Sequence, residues 1–259
     1  MSALDLLFLG TCACDFSPKL QNECKDCFDH DARRASAVLL NKHILIDCGM
    51  HVLDSMRIAG VELSTITDVF VTHTHRDHFD AGNLQTIATA KAEPLHVWVS
   101  EEAVLPPLNN VELHRMTKLQ TYTLDDGLQV TGLYANHDPE FFPQHFLFEK
   151  NGKTFLYATD GAWFMLKTYY YLKNRKLDLF VVDATVGDYE GDMRMAEHNS
   201  IPMIRLMMPS LKTVGVIDDH TKTYLTHLAP SLHKPHAETV EIVKADGMNV
   251  AYDGLTLSV

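Results

Sequence analysis

Short apolar runs along the chain alternate with longer segments of helical periodicity. Runs rich in β-branched and aromatic residues, bounded by turn residues, predict buried strands. They lie near Leu4 to Leu9, Ala37 to Leu40, His43 to Asp47, Ile66 to Val71, Leu95 to Ser100, Leu128 to Ala135, His145 to Glu149, Thr154 to Ala158 and Thr223 to Thr226. Helices are predicted near His51 to Ala59, Asn83 to Lys91, Ala162 to Asn174, Ile201 to Leu211 and His236 to Ala245. This alternation, without repeats or linkers, predicts a single α/β domain over residues 1–259, with two mixed sheets covered by helices.

Composition narrows the class of protein. The chain has 259 residues, enough for a full core, and no apolar stretch or charged leader that predicts a membrane segment or secretion. Five cysteines, an odd number, are typical of a reducing compartment, so we expect a cytoplasmic protein. The net charge of −12, without a run of basic residues, argues against binding of long nucleic acid and favours a small substrate.

The densest group of candidate metal ligands lies directly after the predicted strand that ends at Val71. His73, His75, Asp77 and His78 place three imidazoles and a carboxylate within six residues. In extended geometry His73 and His75 point to one side, while Asp77 and His78 fall where the chain turns. These are the ligand types of two adjacent metal ions. The alternative is a polar loop of solvated histidines.

Three later residues have a similar setting. His137, Asp160 and His227 each follow a strand-like run closely, and strand ends hold side chains rigidly while the loops around them vary. Taken singly, Asp160 could be a turn or cap residue and His227 an interior histidine. Their order after the histidine motif favours further metal ligands.

Together with Asp47, which ends the run from Ile44, this ordered set resembles the metallo-β-lactamase superfamily of binuclear metallohydrolases. The resemblance implies a four-layer αββα sandwich and two divalent ions, for which zinc fits the ligands best while manganese and iron stay open. It implies that Asp47 orients the ligands without binding metal itself; the alternative is a strand-end cap. The implied ligands are His73, His75 and His137 for one ion, Asp77, His78 and His227 for the other, and Asp160 as the bridge.

The opening Gly10-Thr11 and the later segment from Arg33 to Ser36 resemble the phosphodiesterase branch, which includes tRNase Z-like enzymes and the phosphoribosyl cyclic phosphodiesterase. In that branch arginines and a serine lie near the site. Arg33, Arg34 and Ser36 are therefore candidate phosphate-binding residues, because a guanidinium matches two phosphate oxygens. The alternative is a solvated charge pair before a strand.

His198 lies just before the helix predicted from Ile201, where cyclic phosphodiesterase-like enzymes carry an extra histidine. The resemblance implies that a protonated His198 stabilises the transition state and protonates the leaving alkoxide. The alternative is an exposed histidine beside a helix cap.

Cys24 and Cys27 have the Cys-x-x-Cys spacing of half a zinc site, and the resemblance to the cyclic phosphodiesterase, which binds a structural zinc, makes them candidate ligands. The family's other ligands do not map here, because Pro230 stands where the later histidine is expected and His233 is only a loose substitute. Reduced, partly buried thiols are the alternative.

We therefore expect a binuclear metal-dependent hydrolase, a phosphodiesterase acting on a small cyclic or nucleotide-like phosphodiester through a metal-bridging hydroxide. Asp77 and His198 are its expected catalytic residues. Hydrolysis of a thioester or lactone, or a catalytically silent metal-binding role, stays open. A homodimer also stays open, since the stretches Trp163 to Met165 and Tyr169 to Tyr171 suit a core or an oligomer surface.

Overall fold

Two seven-stranded mixed sheets face each other in the computed structural model, which describes residues 4–259. The first sheet contains, in chain order, β1 (Asp5–Gly10), β2 (Ala37–Leu40), β3 (Ile44–Ile46), β4 (Asp68–Phe70), β5 (Leu95–Ser100), β6 (Val111–Met116) and, at its other edge, the chain's last strand Thr256–Ser258. The second sheet contains β7 (Thr121–Thr123), β8 (Gln129–Tyr134), β9 (Gln144–Lys150), β10 (Lys153–Ala158), β11 (Leu179–Asp183), β12 (Lys222–Thr226) and β13 (Met248–Val250).

Strand periodicity divides the side chains between two faces. In β10, Phe155 and Tyr157 face the other sheet, whereas Leu156 and Ala158 face the covering helices. Successive side chains of a strand point to opposite faces, so a strand buried on both sides reads as a continuous apolar run. The main core therefore has three parts, one between the sheets and one under each helical layer.

Six α-helices complete the fold of residues 4–259: α1 (Pro18–Asn22), α2 (Val52–Ile58), α3 (Ala81–Thr89), α4 (Leu166–Leu172), α5 (Ile201–Thr213) and α6 (His236–Lys244). Helices α2 and α3 pack on the first sheet, and α4, α5 and α6 pack on the second. Side-chain caps begin three of them, because Ser17 accepts from the Lys19 amide at 3.3 Å, Asp80 from the Asn83 amide at 3.0 Å and Ser200 from the Met203 amide at 3.3 Å. The predicted four-layer sandwich is confirmed.

The prediction of a helix from Ala162 to Asn174 is wrong at its start, since α4 begins only at Leu166. The Ala162 amide instead donates to the Asn136 carbonyl at 3.0 Å, which ties the turn after β10 to the loop after β8. Five strands were not predicted. In β6 several exposed residues obscure the alternation of apolar and polar positions that predicts a strand. By contrast, β11 begins with four apolar residues, a strand pattern that the sequence analysis did not use.

The strand directions bring the polar strand ends together. Strands β10, β11 and β12 are parallel, and β8 has the same direction because β9 is antiparallel to both β8 and β10. In the first sheet β3 to β6 are parallel. Side chains after these strands therefore share one edge of the sandwich. Among the helices of residues 4–259, none is long and apolar enough to cross a membrane.

Candidate metal centre

The loop between β4 and α3 carries the histidine motif and begins the first of two ligand groups. His73 Nε2 lies 2.9 Å from His75 Nδ1, and His75 Nδ1 lies 3.2 Å from His137 Nε2. His137 follows β8 in the other sheet, so this group joins the two halves of the sandwich. These three imidazoles are able to hold one metal ion.

The second group consists of Asp77, His78, Asp160 and His227, all of which are buried. His78 Nε2 lies 3.2 Å from His227 Nε2, and Asp77 Oδ2 lies 3.3 Å from the former and 3.5 Å from the latter. Carboxylate and imidazole groups at this spacing are ligands for a divalent ion.

Asp160, at the end of β10, lies between the two groups. Its Oδ2 atom is 3.6 Å from His73 Nε2 and 3.2 Å from His227 Nε2, and it also contacts His78 Nε2. One carboxylate thus reaches members of both groups, which is the geometry of a bridging ligand.

Asp47 supports two histidine ligands of the first sheet, His78 directly and His73 through Thr72. Its Oδ2 accepts from His78 Nδ1 at 2.8 Å, and its Oδ1 accepts from the Thr72 amide and hydroxyl at 2.8 and 2.9 Å. His73 Nδ1 in turn lies 3.1 Å from Thr72 Oγ1. A carboxylate that holds the outer nitrogen of an imidazole fixes its tautomer and leaves the inner nitrogen for a metal.

The second sheet repeats this arrangement with Asp183 and Thr185, which the sequence analysis missed. The Thr185 hydroxyl lies 2.7 Å from His227 Nδ1 and donates to Asp183 Oδ2 at 2.9 Å. Asp183 also accepts from the Asn199 amide at 3.0 Å. The signal was available, because Asp183 ends an apolar strand just as Asp47 follows β3 and Asp160 follows β10.

His198, in the segment just before α5, places its side chain in this centre. Its Nδ1 lies 3.1 Å from Asp183 Oδ2 and 3.4 Å from Asp160 Oδ1, and its ring stacks on that of His227 at 5.6 Å. Burial alone lowers the pKa of His198, but the facing carboxylates of Asp183 and Asp160 raise it above the ordinary value. The side chain is therefore suited to carry a proton near neutral pH.

Backbone strain is concentrated at the strand ends that carry these ligands. Asp47, Asp160 and His227 have φ values of 64°, 47° and 57°. Non-glycine residues rarely adopt this left-handed conformation, which persists where the surrounding structure holds it. Nearby, the Cα of Gly49 is so close to the loop that an added Cβ would lie 1.7 Å from the Asp77 carbonyl oxygen.

The charges of the centre fit cations. Burial alone would raise the pKa of the Asp160 carboxyl, but the imidazoles of His227 and His78 hold it well below its usual range. Burial lowers the pKa of His227, yet Asp160, Asp183 and Asp77 raise it to about 10. Buried carboxylates that draw protons onto neighbouring imidazoles make a site whose negative charge divalent ions would neutralise. The donor set therefore fits the metal ions implied by the resemblance.

Arg33, Arg34 and Ser36 are buried, and their polar atoms bind protein groups. Arg33 Nη1 donates to Thr11 Oγ1 at 2.6 Å, and Arg34 Nη2 donates to the Cys24 carbonyl at 2.6 Å. The Ser36 hydroxyl donates to a backbone carbonyl at 3.0 Å. The interpretation of Arg33 and Arg34 as a solvated charge pair is therefore wrong. Phosphate contact by these residues and Ser36 stays a prediction.

Cys24 and Cys27 lie on the loop that Arg34 holds. Cys24 is buried against Leu20 and Ala32, whereas Cys27 is exposed. Within residues 4–259, the groups of three or more potential metal ligands do not include either cysteine. The structural zinc accordingly stays a prediction, and reduced thiols describe the geometry seen here.

A family model described as the beta-lactamase superfamily domain matches residues 42–245 of the chain. No curated protein sequence matches this chain. Solved structures do: the metallo-beta-lactamase fold protein YhfI from Bacillus subtilis is 16% identical with a TM-score of 0.76, and each chain is covered in full. A diphosphatase from the PhnP family is 18% identical with a TM-score of 0.73, covering 99% of this chain and 97% of that one.

The short form of human tRNase Z is 20% identical with a TM-score of 0.69, covering 98% of this chain and 99% of that one. At these identities the structures establish the fold alone. The family match extends over most of the chain and includes the histidine motif, Asp160, Asp183 and His227. The chain thus belongs to the metallo-β-lactamase superfamily, a membership that together with its histidine and aspartate clusters suggests a hydrolase dependent on divalent metal.

Proposed function

We propose that this protein hydrolyses a small phosphodiester with the help of two divalent metal ions, zinc being preferred. The observation that carries the proposal is the pair of ligand groups linked by Asp160, whose Oδ2 lies 3.6 Å from His73 Nε2 and 3.2 Å from His227 Nε2, with His198 3.4 Å from the same carboxylate. His73, His75 and His137 would hold one ion, Asp77, His78 and His227 the other, and Asp160 both. When bound, such ions lower the pKa of water and polarise phosphoryl oxygens.

His198 supplies the proton that the reaction needs. In hydrolysis a water molecule releases a proton to solvent as its oxygen forms a bond to phosphorus, the bond from phosphorus to the leaving oxygen breaks, and that oxygen must take up a proton. The His198 imidazole, whose pKa the neighbouring Asp183 raises, donates this proton to the leaving alkoxide. Asp183 then stabilises the ring in the orientation that allows reprotonation from solvent.

Charge supports a small substrate. The net charge of −12 disfavours a long polyanion, whose binding requires a basic surface. Two metal ions would offset the negative charge of the carboxylates locally, so that a small phosphodiester is not repelled. The names of two structural relatives, a diphosphatase and a tRNase Z, support phosphate chemistry, although the second names an RNA substrate and so does not bear on substrate size.

The test is hydrolysis of bis(p-nitrophenyl) phosphate by protein reconstituted with zinc or manganese, with Asp160→Ala and His198→Ala beside it. Asp219→Ala and His220→Ala are the matched controls, because both positions are exposed in the turn after α5. Asp160→Ala should abolish turnover. His198→Ala should reduce it, and the loss should be larger, about 10²- to 10⁴-fold, on an alkyl phosphodiester. p-Nitrophenolate needs little protonation to leave.

Failure of the zinc and manganese forms to hydrolyse any phosphodiester would overturn the proposal. Turnover of a thioester or lactone instead would assign the same centre to acyl substrates. Tight metal binding without turnover of either class would point to the silent metal-binding role. An equal loss of activity on aryl and alkyl esters in His198→Ala would remove the proton-donor role alone.

A further inference from the structure

A second histidine and carboxylate cluster lies on the first sheet, at the edge opposite the metal centre. His96 is near the start of β5, whereas the centre follows the carboxyl end of the parallel strand β4. His96 is paired in register with Glu112 of β6, and Trp98 is paired with His114. Residues two apart on a strand share a face, so all four side chains project from the same side of the sheet.

The distances within this cluster match those of a metal site. His96 Nδ1 lies 2.9 Å from His114 Nε2, Glu112 Oε2 lies 3.6 Å from the former, and Glu112 Oε1 lies 3.6 Å from the latter. Tetrahedral coordination with bonds of about 2.0–2.1 Å separates neighbouring ligand atoms by about 3.3 Å. Three ligand atoms are thus close to their required positions, and small rotations of exposed side chains would complete the fit.

The position of His114 is held by its surroundings. Its ring stacks on Trp98 with centroids 4.1 Å apart and an interplanar angle of 15°. Trp98 is itself fixed, because its indole nitrogen donates to Asp68 Oδ1 at 2.8 Å. A ligand that is immobilised before binding loses less conformational entropy when the metal arrives.

His96, Trp98 and His114 line a cleft of about 520 Å³ between the two sheets. Glu112 does not line this cleft, whereas four acidic residues and one lysine do: Asp68, Lys91, Glu93, Asp125 and Asp126. The acidic lining favours a cation. Glu112 is exposed, so a fourth coordination position faces solvent. We propose that His96, Glu112 and His114 form a peripheral site for a divalent transition-metal ion, preferentially zinc, with water as the remaining ligand. Imidazole with carboxylate suits zinc, and copper or nickel would compete on affinity.

The competing account is a hydrogen bond between the two imidazoles. Neutral His96 and His114 could share one N–H group over 2.9 Å without any metal. The two accounts differ in measurable ways, because only the metal site adds a bound ion and only the metal site needs Glu112.

Zinc stoichiometry separates these accounts without reference to hydrolysis. The full chain is stripped with a chelator, dialysed against micromolar free zinc and measured by elemental analysis, alongside His96→Ala, His114→Phe and Glu112→Gln. Phenylalanine preserves stacking on Trp98 but offers no nitrogen. His43→Ala is the matched control, since His43 lines the same cleft outside the cluster. Circular dichroism of each metal-free variant checks the fold.

The wild type should bind one zinc more per chain than His96→Ala or His114→Phe, and His43→Ala should match the wild type. Glu112→Gln should raise the Kd of that last zinc by about tenfold or more. The same difference should persist in an Asp160→Ala background, where the main centre is impaired. Equal zinc content in wild type, His96→Ala and His114→Phe would overturn the proposal, as would an equal loss in His43→Ala.

Discussion

Asp183→Asn tests the outer carboxylate of the second sheet. The substitution keeps the shape of the side chain and one oxygen for the Thr185 and Asn199 amides, each 3.0 Å away. It replaces the oxygen that faces Thr185 and His198 with an NH2 group and removes a buried negative charge. The fold should therefore survive, while the hold on His227 through Thr185 is lost.

The expected magnitude follows from the two contacts that disappear. Loss of an outer partner of a ligating histidine typically weakens metal binding 10- to 100-fold, which is about 1.4–2.7 kcal/mol. His198 also loses the carboxylate that offsets its burial, so its pKa should fall from the raised value it has beside Asp183. The alkaline limb of the activity profile should accordingly move to lower pH.

Zinc competition with a chromophoric chelator measures the Kd, and the rate of phosphodiester hydrolysis across pH measures the second effect. A His96→Ala background confines the titration to the main centre. Asp178→Asn is the control, because Asp178 lies at the other end of β11 and binds Lys153 Nζ at 2.8 Å and the Thr154 amide at 2.9 Å. An unchanged zinc Kd in Asp183→Asn, or an equal change in the control, would refute the reasoning.

Three further predictions concern the fold around the site. Burial lowers the pKa of His233 from 6.5 to about 4, so its contribution to stability is complete above the unfolded value and is lost as pH falls through 4. The stability advantage over His233→Gln in denaturant unfolding should shrink by up to about 3 kcal/mol between neutral pH and pH 4, and a constant difference would contradict this. Gly49→Ala should lower zinc content and activity, because its Cβ would collide with the Asp77 carbonyl, whereas Gly82→Ala should be tolerated; normal zinc binding in Gly49→Ala would count against the close contact. Arg34→Ala should reduce the free energy of unfolding by about 3 kcal/mol, since the guanidinium binds three loop carbonyls, with Arg34→Lys rescuing only part of it; an unchanged denaturation midpoint would exclude this role.

Local sequence patterns were enough to predict the strands with clear apolar runs and the helix ends with clear caps. Strands Ala37–Leu40 and Leu95–Ser100 have their predicted bounds. The predicted helix at Ala162 failed because a long-range hydrogen bond to Asn136 competes there with helix formation. Helix propensity describes a segment in isolation, so it does not account for a hydrogen bond to a carbonyl that is distant in the sequence.

The sequence by itself determined the superfamily and the candidate ligands, because His73 to His78 are neighbours in the chain and the later ligands each follow a strand. Only the tertiary structure revealed the Thr185–Asp183 contacts, the internal partners of Arg33 and Arg34, and the cluster of His96 with His114. These features depend on which strand ends meet at one edge and on the register between β5 and β6. Strand pairing joins residues that are far apart in sequence, so short-range patterns do not encode it.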